Sequence, residues 1–75
     1  MGYRKNEILQ KEIALLIKKL REEKKMTQLE LYHETNLKIS RVESGKTNIS
    51  LNTISVLCNY FGLSLGEFFT LLEKE

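Results

Sequence analysis

The chain has 75 residues, with 12 basic and 10 acidic side chains and a formal net charge of +2. A chain of this length holds one domain with a small core, so dimerisation is an expected source of added stability. The absence of proline and the helical spacing of the apolar residues predict an all-α fold, whereas the near balance of charge does not by itself identify a nucleic-acid-binding protein.

The residue types that mark metal, disulfide or membrane sites are scarce. Cys58 is the only cysteine, so it has no partner for an intramolecular disulfide. His33 is the only histidine and has no cysteine at ligand spacing, which predicts no metal site. No apolar run approaches the length of a membrane span, and the amino terminus lacks the apolar stretch of a signal peptide. We therefore expect a cytoplasmic protein with no membrane association, cofactor or evident small-molecule ligand.

The first predicted helix runs from about Lys5 to Lys24 and forms the basic end of the chain. Residues 1–25 carry eight basic and four acidic side chains, whereas residues 51–75 carry one and three. Apolar residues at intervals of three and four predict its buried face, which consists of Leu9, Ile13, Leu16, Ile17 and Leu20. The first two turns exceed what a three-turn core requires, so they either contact a partner subunit or fray, and the sequence leaves both open.

Two short helices joined by a tight turn are predicted within residues 26–45. Thr27, followed three residues later by Glu30, forms a capping box that marks the start of the first one. The second is predicted from about Lys38 to Ser44, with Gly45 as its C-terminal cap. Its inward-facing residues are Ile39 and Val42, and its exposed residues are Ser40, Arg41 and Ser44. A protein uses such a pair to lay one helix along a DNA groove.

A fourth helix is predicted from about Leu51 to Phe61, after a loop. Ser50 is a suitable N-cap, and Gly62 supplies the left-handed residue that ends the helix. Cys58 falls on the apolar face of this helix. It is therefore expected to be a small core residue and not a nucleophile or ligand.

The fifth and last helix is predicted from about Leu65 to Leu72. It is opened by a second capping box, formed by Ser64 and Glu67. Two large aromatic residues so near a chain end indicate either docking on the core or a subunit interface. We predict a homodimer whose interface contains Phe68, Phe69 and Leu72.

The components of an active site are missing from the sequence. It has no glycine-rich phosphate loop, no paired carboxylates in an evident cleft and no nucleophile with a base near it. We therefore predict no catalytic residues and expect that the protein is not an enzyme.

The runs IKKLREEKKMTQLEL and ISRVESGKTNISLNTISVLCNYFGLSLGEFF resemble the helix-turn-helix family of lambda-repressor and Cro type, also called the Xre family. The resemblance covers residues 13–69, so one helix-turn-helix domain is expected over residues 1–75, with 1–12 as a helical extension. It implies a compact five-helix regulator of transcription that binds operator half-sites in double-stranded DNA, commonly as a dimer, with repression of its own gene as the expected mode. In size the chain also resembles the controller proteins of restriction-modification systems. The operator sequence, and the choice between repression and activation, remain open.

The sequence departs from the family pattern just before the Ile39-Ser40-Arg41 run. Relatives place about five residues of turn and early helix there, whereas here Asn36-Leu37-Lys38 leads almost directly into the run. The difference is roughly three residues, or nearly one helical turn. Because that turn carries much of the base contact in relatives, the shortened helix offers fewer side chains to the major groove.

Eight residues are candidate DNA contacts: Gln28, Lys38, Ser40, Arg41, Ser44, Lys46, Thr47 and Asn48. By resemblance, Gln28 holds the start of the first motif helix to phosphate or to a neighbouring base. Arg41 matches a frequent base or phosphate contact, which suits its bidentate fork. The alternative for each is a solvated surface side chain.

The other six candidates fall into two groups. Lys38, Ser40 and Ser44 are candidates by position alone, on the exposed side of the second motif helix. Residues 46–48 occupy the loop where relatives contact the sugar-phosphate backbone, and we expect them to position the protein without reading sequence.

A different role follows from the resemblance for Arg21 and Glu43. The matching positions in the family form an ion pair that ties the first helix to the end of the recognition helix. Glu43 is therefore expected to be structural although it lies within the motif.

A second functional hypothesis is a helical protein-interaction module, such as an adaptor or an antitoxin-like protein, that keeps the helix-turn-helix as a scaffold. The weak central charge and the shortened recognition helix favour it. Gln28, Arg41 and Lys46, in register with the DNA-binding pattern, favour the regulator. Salt-dependent binding to duplex DNA discriminates between the two.

Overall fold

The structure is a computed structural model that describes residues 6–74, and within that range it contains five helices and no strand. In chain order these are α1 (Glu7–Glu23), α2 (Gln28–Thr35), α3 (Ile39–Glu43), α4 (Leu51–Phe61) and α5 (Leu65–Lys74). Helix α1 packs against α3 and α5, while α2 packs against α3 and α4. The predicted all-α fold of five helices is confirmed.

The helix starts follow local hydrogen bonding. Thr27 Oγ1 accepts from the Glu30 amide at 3.1 Å, and the Thr27 amide donates to Glu30 Oε1 at 2.8 Å, so the first predicted capping box is present. The box of Ser64 and Glu67 is also present, with distances of 2.8 and 3.0 Å. Ser50 Oγ accepts from Thr53 at 3.0 Å and caps α4 as predicted.

Helix bounds differ from the prediction at both chain ends. Asn6 caps α1 by accepting from the Leu9 amide at 2.9 Å, whereas the predicted start at Lys5 lies outside the described residues. Helix α5 continues to Lys74, beyond the predicted end at Leu72. Helix α4 has the predicted bounds and ends at Gly62, which has a φ of +75°.

One apolar core contains buried residues from all five helices, and Ile39 is the one that α3 contributes. Its buried members are Ile13, Leu16, Ile17, Leu31, Ile39, Ile54, Leu57, Cys58, Phe68 and Leu72. Cys58 is thus a core residue as predicted, and burial raises the pKa of its thiol. Leu9 was predicted to belong to the buried face of α1, but it is 38% exposed, beside a shallow depression that Asn48 and Ile49 of the loop also line.

Two of the three residues predicted for the subunit interface lie inside the protomer. Phe68 is fully buried and Leu72 is 8% exposed, because both side chains pack inside the protomer between α5 and the rest of the core. A side chain enclosed in this way has no surface left for a second subunit. Phe69, whose ring meets Phe68 edge to face, remains 36% exposed.

Within residues 6–74, none of the five helices is by itself long and apolar enough to cross a membrane. Helices α4 and α5 reach the required length and apolar content only when taken together across a 95° bend. Both contribute buried residues to the core.

Candidate nucleic-acid interface

Helices α2 and α3 are joined by a turn of three residues, 36–38. Asn36 adopts a left-handed conformation with φ 61°, and its amide donates to the Tyr32 carbonyl, which ends α2. Thr35 Oγ1 donates to the Leu31 carbonyl at 2.8 Å and accepts from the Leu37 amide. Asparagine tolerates the left-handed region better than most residues, so it can reverse the chain here without glycine.

Helix α3 has only five residues, which corresponds to a length of about 7.5 Å. Ile39 is 1% exposed and anchors the helix in the core, and Val42 packs against the same core. Lys38, Ser40 and Arg41 are exposed on the opposite side. The predicted division between buried and exposed positions of this helix is therefore confirmed, and the side chains available for DNA are few.

Arg21 and Glu43 form the predicted ion pair between α1 and the end of α3. The arginine Nε lies 2.7 Å from Glu43 Oε2, and Nη2 donates to Oε1 at 3.0 Å. Arg21 Nη1 also donates to the Met26 carbonyl at 2.7 Å, just ahead of α2. The hydrogen bond to Glu43 raises the pKa of Arg21, and burial opposes that rise. This one guanidinium thus fixes the relative positions of three helices.

Gln28 connects this pair to the protein surface. Its Nε2 donates to Glu43 Oε1 at 2.9 Å, although the residue as a whole is exposed. The structure therefore gives Gln28 a role in orienting α2 relative to α3. Its contact with DNA remains a prediction.

The hydroxyls of Ser44 and Thr47 close the end of α3. Both donate to the Arg41 carbonyl, at 2.7 and 3.3 Å, and Ser44 Oγ accepts from the Lys46 amide. A hydroxyl has one hydrogen to donate, and phosphate oxygens can only accept. In this conformation the two hydroxyls stabilise the turn, and their predicted contact with DNA would require these bonds to be exchanged.

The loop after α3 lies against the first half of α1. Gly45 has a φ of +73°, and a Cβ at this position would lie 3.3 Å from Lys11 Cγ, so the loop backbone approaches α1 closely. Asn48 Oδ1 accepts a hydrogen bond from Gln10 Nε2. Asn48 is thus tied to α1, while Lys46 is exposed beside it.

Three surface residues near the predicted contacts were missed by sequence reasoning. Lys11 is exposed on α1 beside the loop that carries Lys46. Leu29 and Tyr32 of α2 are 63% and 38% exposed and line the same groove as Arg41. The sequence held a signal for the second case, because Leu29, Leu31 and Tyr32 cover more of a helix than one buried face needs. It held none for Lys11, whose neighbours come from a distant part of the chain.

The exposed side chains around α3 suit a polyanion with hydrogen-bonding edges. An open groove of about 480 Å³ between α2 and α3 is lined by Gln28, Leu29, Tyr32, Lys38, Ile39, Ser40 and Arg41. A second concavity, which Arg41 also lines, includes Lys38, Thr47 and Asn48. Lysine and arginine bind phosphate, and arginine can also bind a guanine edge with two hydrogen bonds. Among residues 6–74, no cluster of His, Cys, Asp and Glu side chains could hold a metal ion.

Comparison with known families decides how this geometry is classified. The profile of the helix-turn-helix family HTH_3 matches residues 17–68, which include all of α2, α3 and α4. The chain belongs to the Xre-type helix-turn-helix family. The predicted resemblance is thereby confirmed, and the α2–α3 unit is the motif after which the family is named.

Two solved structures are similar to the chain. One is the restriction-modification controller protein C.Esp1396I, as a tetramer in complex with its natural 35 base-pair operator; the TM-score is 0.78 at 32% identity, over 88% of this chain and 91% of that one. The other is a tyrosine-to-phenylalanine mutant of the same controller protein, also with a TM-score of 0.78 and 32% identity, over 88% of this chain and 87% of that one. No curated protein gives a significant sequence match. The similarity to a small controller protein was also expected from the sequence.

Proposed function

We propose that the protein is a cytoplasmic, sequence-specific DNA-binding regulator of transcription that binds operator DNA as a homodimer. The observation that carries the proposal is the exposed groove around α3, which has Lys38 and Arg41 on its rim and lies within an Xre-type helix-turn-helix. In the related controller protein C.Esp1396I, a tetramer occupies an operator. In the proposed complex two copies of α3 enter successive major grooves about 34 Å apart.

The residues around α3 divide the work between positioning and reading. Arg41 is the principal candidate for base contact, because it is exposed on α3 and its fork can bind a guanine edge. Lys38 and Ser40 flank it on the same exposed side. Lys46 binds backbone phosphate from the loop that α1 supports, and the five-residue α3 leaves most of the affinity to such phosphate contacts.

The dimer is proposed to form through the exposed side of α5. Phe69 is the aromatic residue that remains available there after Phe68 and Leu72 are enclosed in the core. Ile8, at 72% exposure in the first turn of α1, is a second apolar residue available to a partner subunit. Because each subunit contributes only one short recognition helix, occupancy of two half-sites raises the affinity of both.

The protein-interaction alternative rests on two features of the structure, the short α3 and the exposed apolar Leu29 beside it. The two functions differ in their response to salt. Phosphate contacts release counterions, so the affinity for DNA falls steeply as salt concentration rises, while an apolar protein interface is much less sensitive.

Selection from a random duplex pool, followed by salt titration on the enriched sequence, tests the proposal. We expect enrichment of a sequence with two-fold symmetric half-sites and a linear fall of log affinity with log salt concentration. Absence of binding to any duplex at low salt, by a protein shown to be folded and dimeric, would rule out the regulator in favour of the interaction module.

A further inference from the structure

The groove that contains Arg41 has an apolar wall supplied by α2. Leu29 and Tyr32 are three residues apart, which makes them neighbours on one face of the helix. They are 63% and 38% exposed and line the same groove as Ser40 and Arg41 of α3. Exposed single leucines are common on protein surfaces. This one is distinguished by its position within a groove whose other rim is cationic.

The chemistry of the groove selects its occupant. None of the described residues that line it is acidic. Those with a polar group, Gln28, Tyr32, Lys38, Ser40 and Arg41, can donate hydrogen bonds or neutralise phosphate. The partner that fits is therefore anionic and rich in acceptors, as a DNA major groove is. Among base edges in that groove the apolar group is the C5-methyl of thymine, and leucine is an apolar surface on which it can pack.

The length of α3 explains why a side chain of α2 would take part. With five residues, α3 offers Ser40 and Arg41, and Lys38 precedes it. The groove beside α3 is bordered by α2, where Leu29 lies one residue after Gln28 in the first turn. The first turn of α2 shares the groove with Ser40 and Arg41, so a duplex seated on α3 also meets Leu29.

We propose that Leu29, with Tyr32 beside it, is a specificity-determining residue that packs on a thymine methyl group next to the base pair contacted by Arg41. This inference rests on the proposed DNA-binding function. It assigns part of the sequence reading to α2, whereas Arg41 supplies the hydrogen bonds.

The test removes the methyl group from the DNA and the side chain from the protein. The probe is the duplex that the full-length protein enriches from a random pool, synthesised once with thymine and once with uracil at the same positions. Uracil lacks only the methyl group. Wild-type protein is expected to bind the uracil duplex about fourfold more weakly for each methyl group buried, which corresponds to about 0.8 kcal/mol.

Leu29→Ala is expected to bind the thymine duplex about fourfold more weakly than wild type and to lose the preference for thymine over uracil. Leu15→Ala is the matched control, because Leu15 is 64% exposed on α1 away from the groove, and it should keep the full preference. Thermal unfolding of each variant checks that the fold is retained.

Three outcomes would overturn the inference. They are equal binding of thymine and uracil duplexes by wild type, an undiminished thymine preference in Leu29→Ala, and a change of oligomeric state in Leu29→Ala that accounts for its weaker binding. In each case Arg41→Ala still weakens binding if the proposed function holds. Failure of wild-type protein to bind any duplex would instead remove the proposed function itself.

Discussion

Arg21 and Glu43, 22 positions apart in the chain, form a two-point ion pair whose side chains are only 10% and 3% exposed. The pair joins the end of α1 to the end of α3, and Arg21 also holds the Met26 carbonyl ahead of α2. The pair thus helps to orient the recognition helix, and Gln28, a candidate DNA contact, donates to the same Glu43 carboxylate.

Truncating either partner is expected to be costly, because it leaves the other charge buried without compensation. We predict that Arg21→Ala and Glu43→Ala each lower the free energy of unfolding by about 3–5 kcal/mol in urea denaturation. The double variant Arg21→Met, Glu43→Leu removes both charges and should recover much of this loss. Single variants within about 1 kcal/mol of wild type would show that the pair is as weak as an exposed one.

The pH dependence of the Arg21 contribution follows from its raised pKa. A basic group with a raised pKa in the folded state contributes fully below its unfolded value and loses its contribution as pH rises through the folded value. The stability that the Arg21 charge contributes should therefore be constant across the neutral range, and deprotonation of Arg21 should remove it only in strong alkali. Urea titrations of wild type and the double variant at several pH values measure this difference.

The end of α1 carries a backbone strain that substitution can relieve. Lys25 follows α1 in a left-handed conformation, with a φ of +58°. The Lys25 amide donates to the Glu22 carbonyl, and the Met26 amide donates to the Arg21 carbonyl. Gly62 occupies the same position in the same hydrogen-bonding motif at the end of α4. A residue with a Cβ pays about 1–2 kcal/mol for the left-handed conformation. Glycine avoids that cost, but its greater freedom in the unfolded chain destabilises the folded state by about 0.4–1 kcal/mol, which is less. Lys25→Gly should therefore raise the free energy of unfolding by about 0.5–1 kcal/mol.

Gly62→Ala is the reciprocal change. No described atom lies within 4 Å of a Cβ at Gly62, so its cost, about 1 kcal/mol, comes from the backbone alone. Thermal unfolding of both variants measures the two effects. A lower melting temperature for Lys25→Gly would mean that the lysine side chain stabilises this turn more than its conformation costs.

Arg41 and Lys46 should affect DNA binding in different ways. Arg41→Ala is expected to cost about 1–3 kcal/mol on the selected operator and to relax the preference at one base pair, because a base contact is lost. Lys46→Gln should weaken binding to all sequences alike and reduce the salt slope by about 1, because one phosphate contact is lost.

Lys18→Gln is a suitable control for both, since Lys18 is exposed in α1, outside the groove residues. Filter binding over a salt series separates the three variants. The assignment of Arg41 would fail if its alanine variant kept full affinity for the selected sequence.

Phe68 and Phe69 are adjacent in the chain, but Phe68 is buried and Phe69 is exposed. Substituting each in turn therefore separates the stability of the protomer from that of the proposed dimer. Phe69→Ser should shift the protein toward monomer and leave the protomer folded, because the ring is 36% exposed. Phe68→Ala should instead cost about 3–5 kcal/mol of protomer stability, because the ring is fully buried. Sedimentation equilibrium, with thermal unfolding at several concentrations, distinguishes the two effects. An unchanged dimer in Phe69→Ser would place the interface elsewhere.

The buried thiol of Cys58 should report on unfolding. Burial raises its pKa, so the folded protein keeps the proton at alkaline pH values where the unfolded chain, with an ordinary value of about 8.5, releases it. Stability is therefore expected to fall more steeply with pH above that value in wild type than in Cys58→Ala. Alkylation at a pH of about 9, just above that ordinary value, should be slow in the native protein and rapid in urea. Rapid native alkylation would show that α4 opens locally.

The starts of α2, α4 and α5 were the most predictable part of the fold. Thr27, Ser50 and Ser64 each bond to a residue three positions away, so the information that defines these caps is contained in a short stretch of sequence. The family resemblance similarly supplied the Arg21–Glu43 pair, which no local pattern reveals.

Exposure was less predictable, because the period of a helix gives its apolar face but not what covers that face. Leu9 and Phe68 both belong to apolar stripes, yet Leu9 is exposed above a loop and Phe68 is enclosed between helices. Only the packing of α5 onto the other helices distinguishes them.

The sequence by itself determined the number of helices, the N-terminal caps of α2, α4 and α5, the family and the short recognition helix, since all of these depend on local spacing or on a motif. The tertiary structure alone decided which exposed residues share a surface. Leu29 meets Arg41 across one groove, and Lys11 lies beside the loop of Lys46. The physical reason is that such neighbours are set by the angles at which helices pack, and those angles result from contacts summed over the whole core.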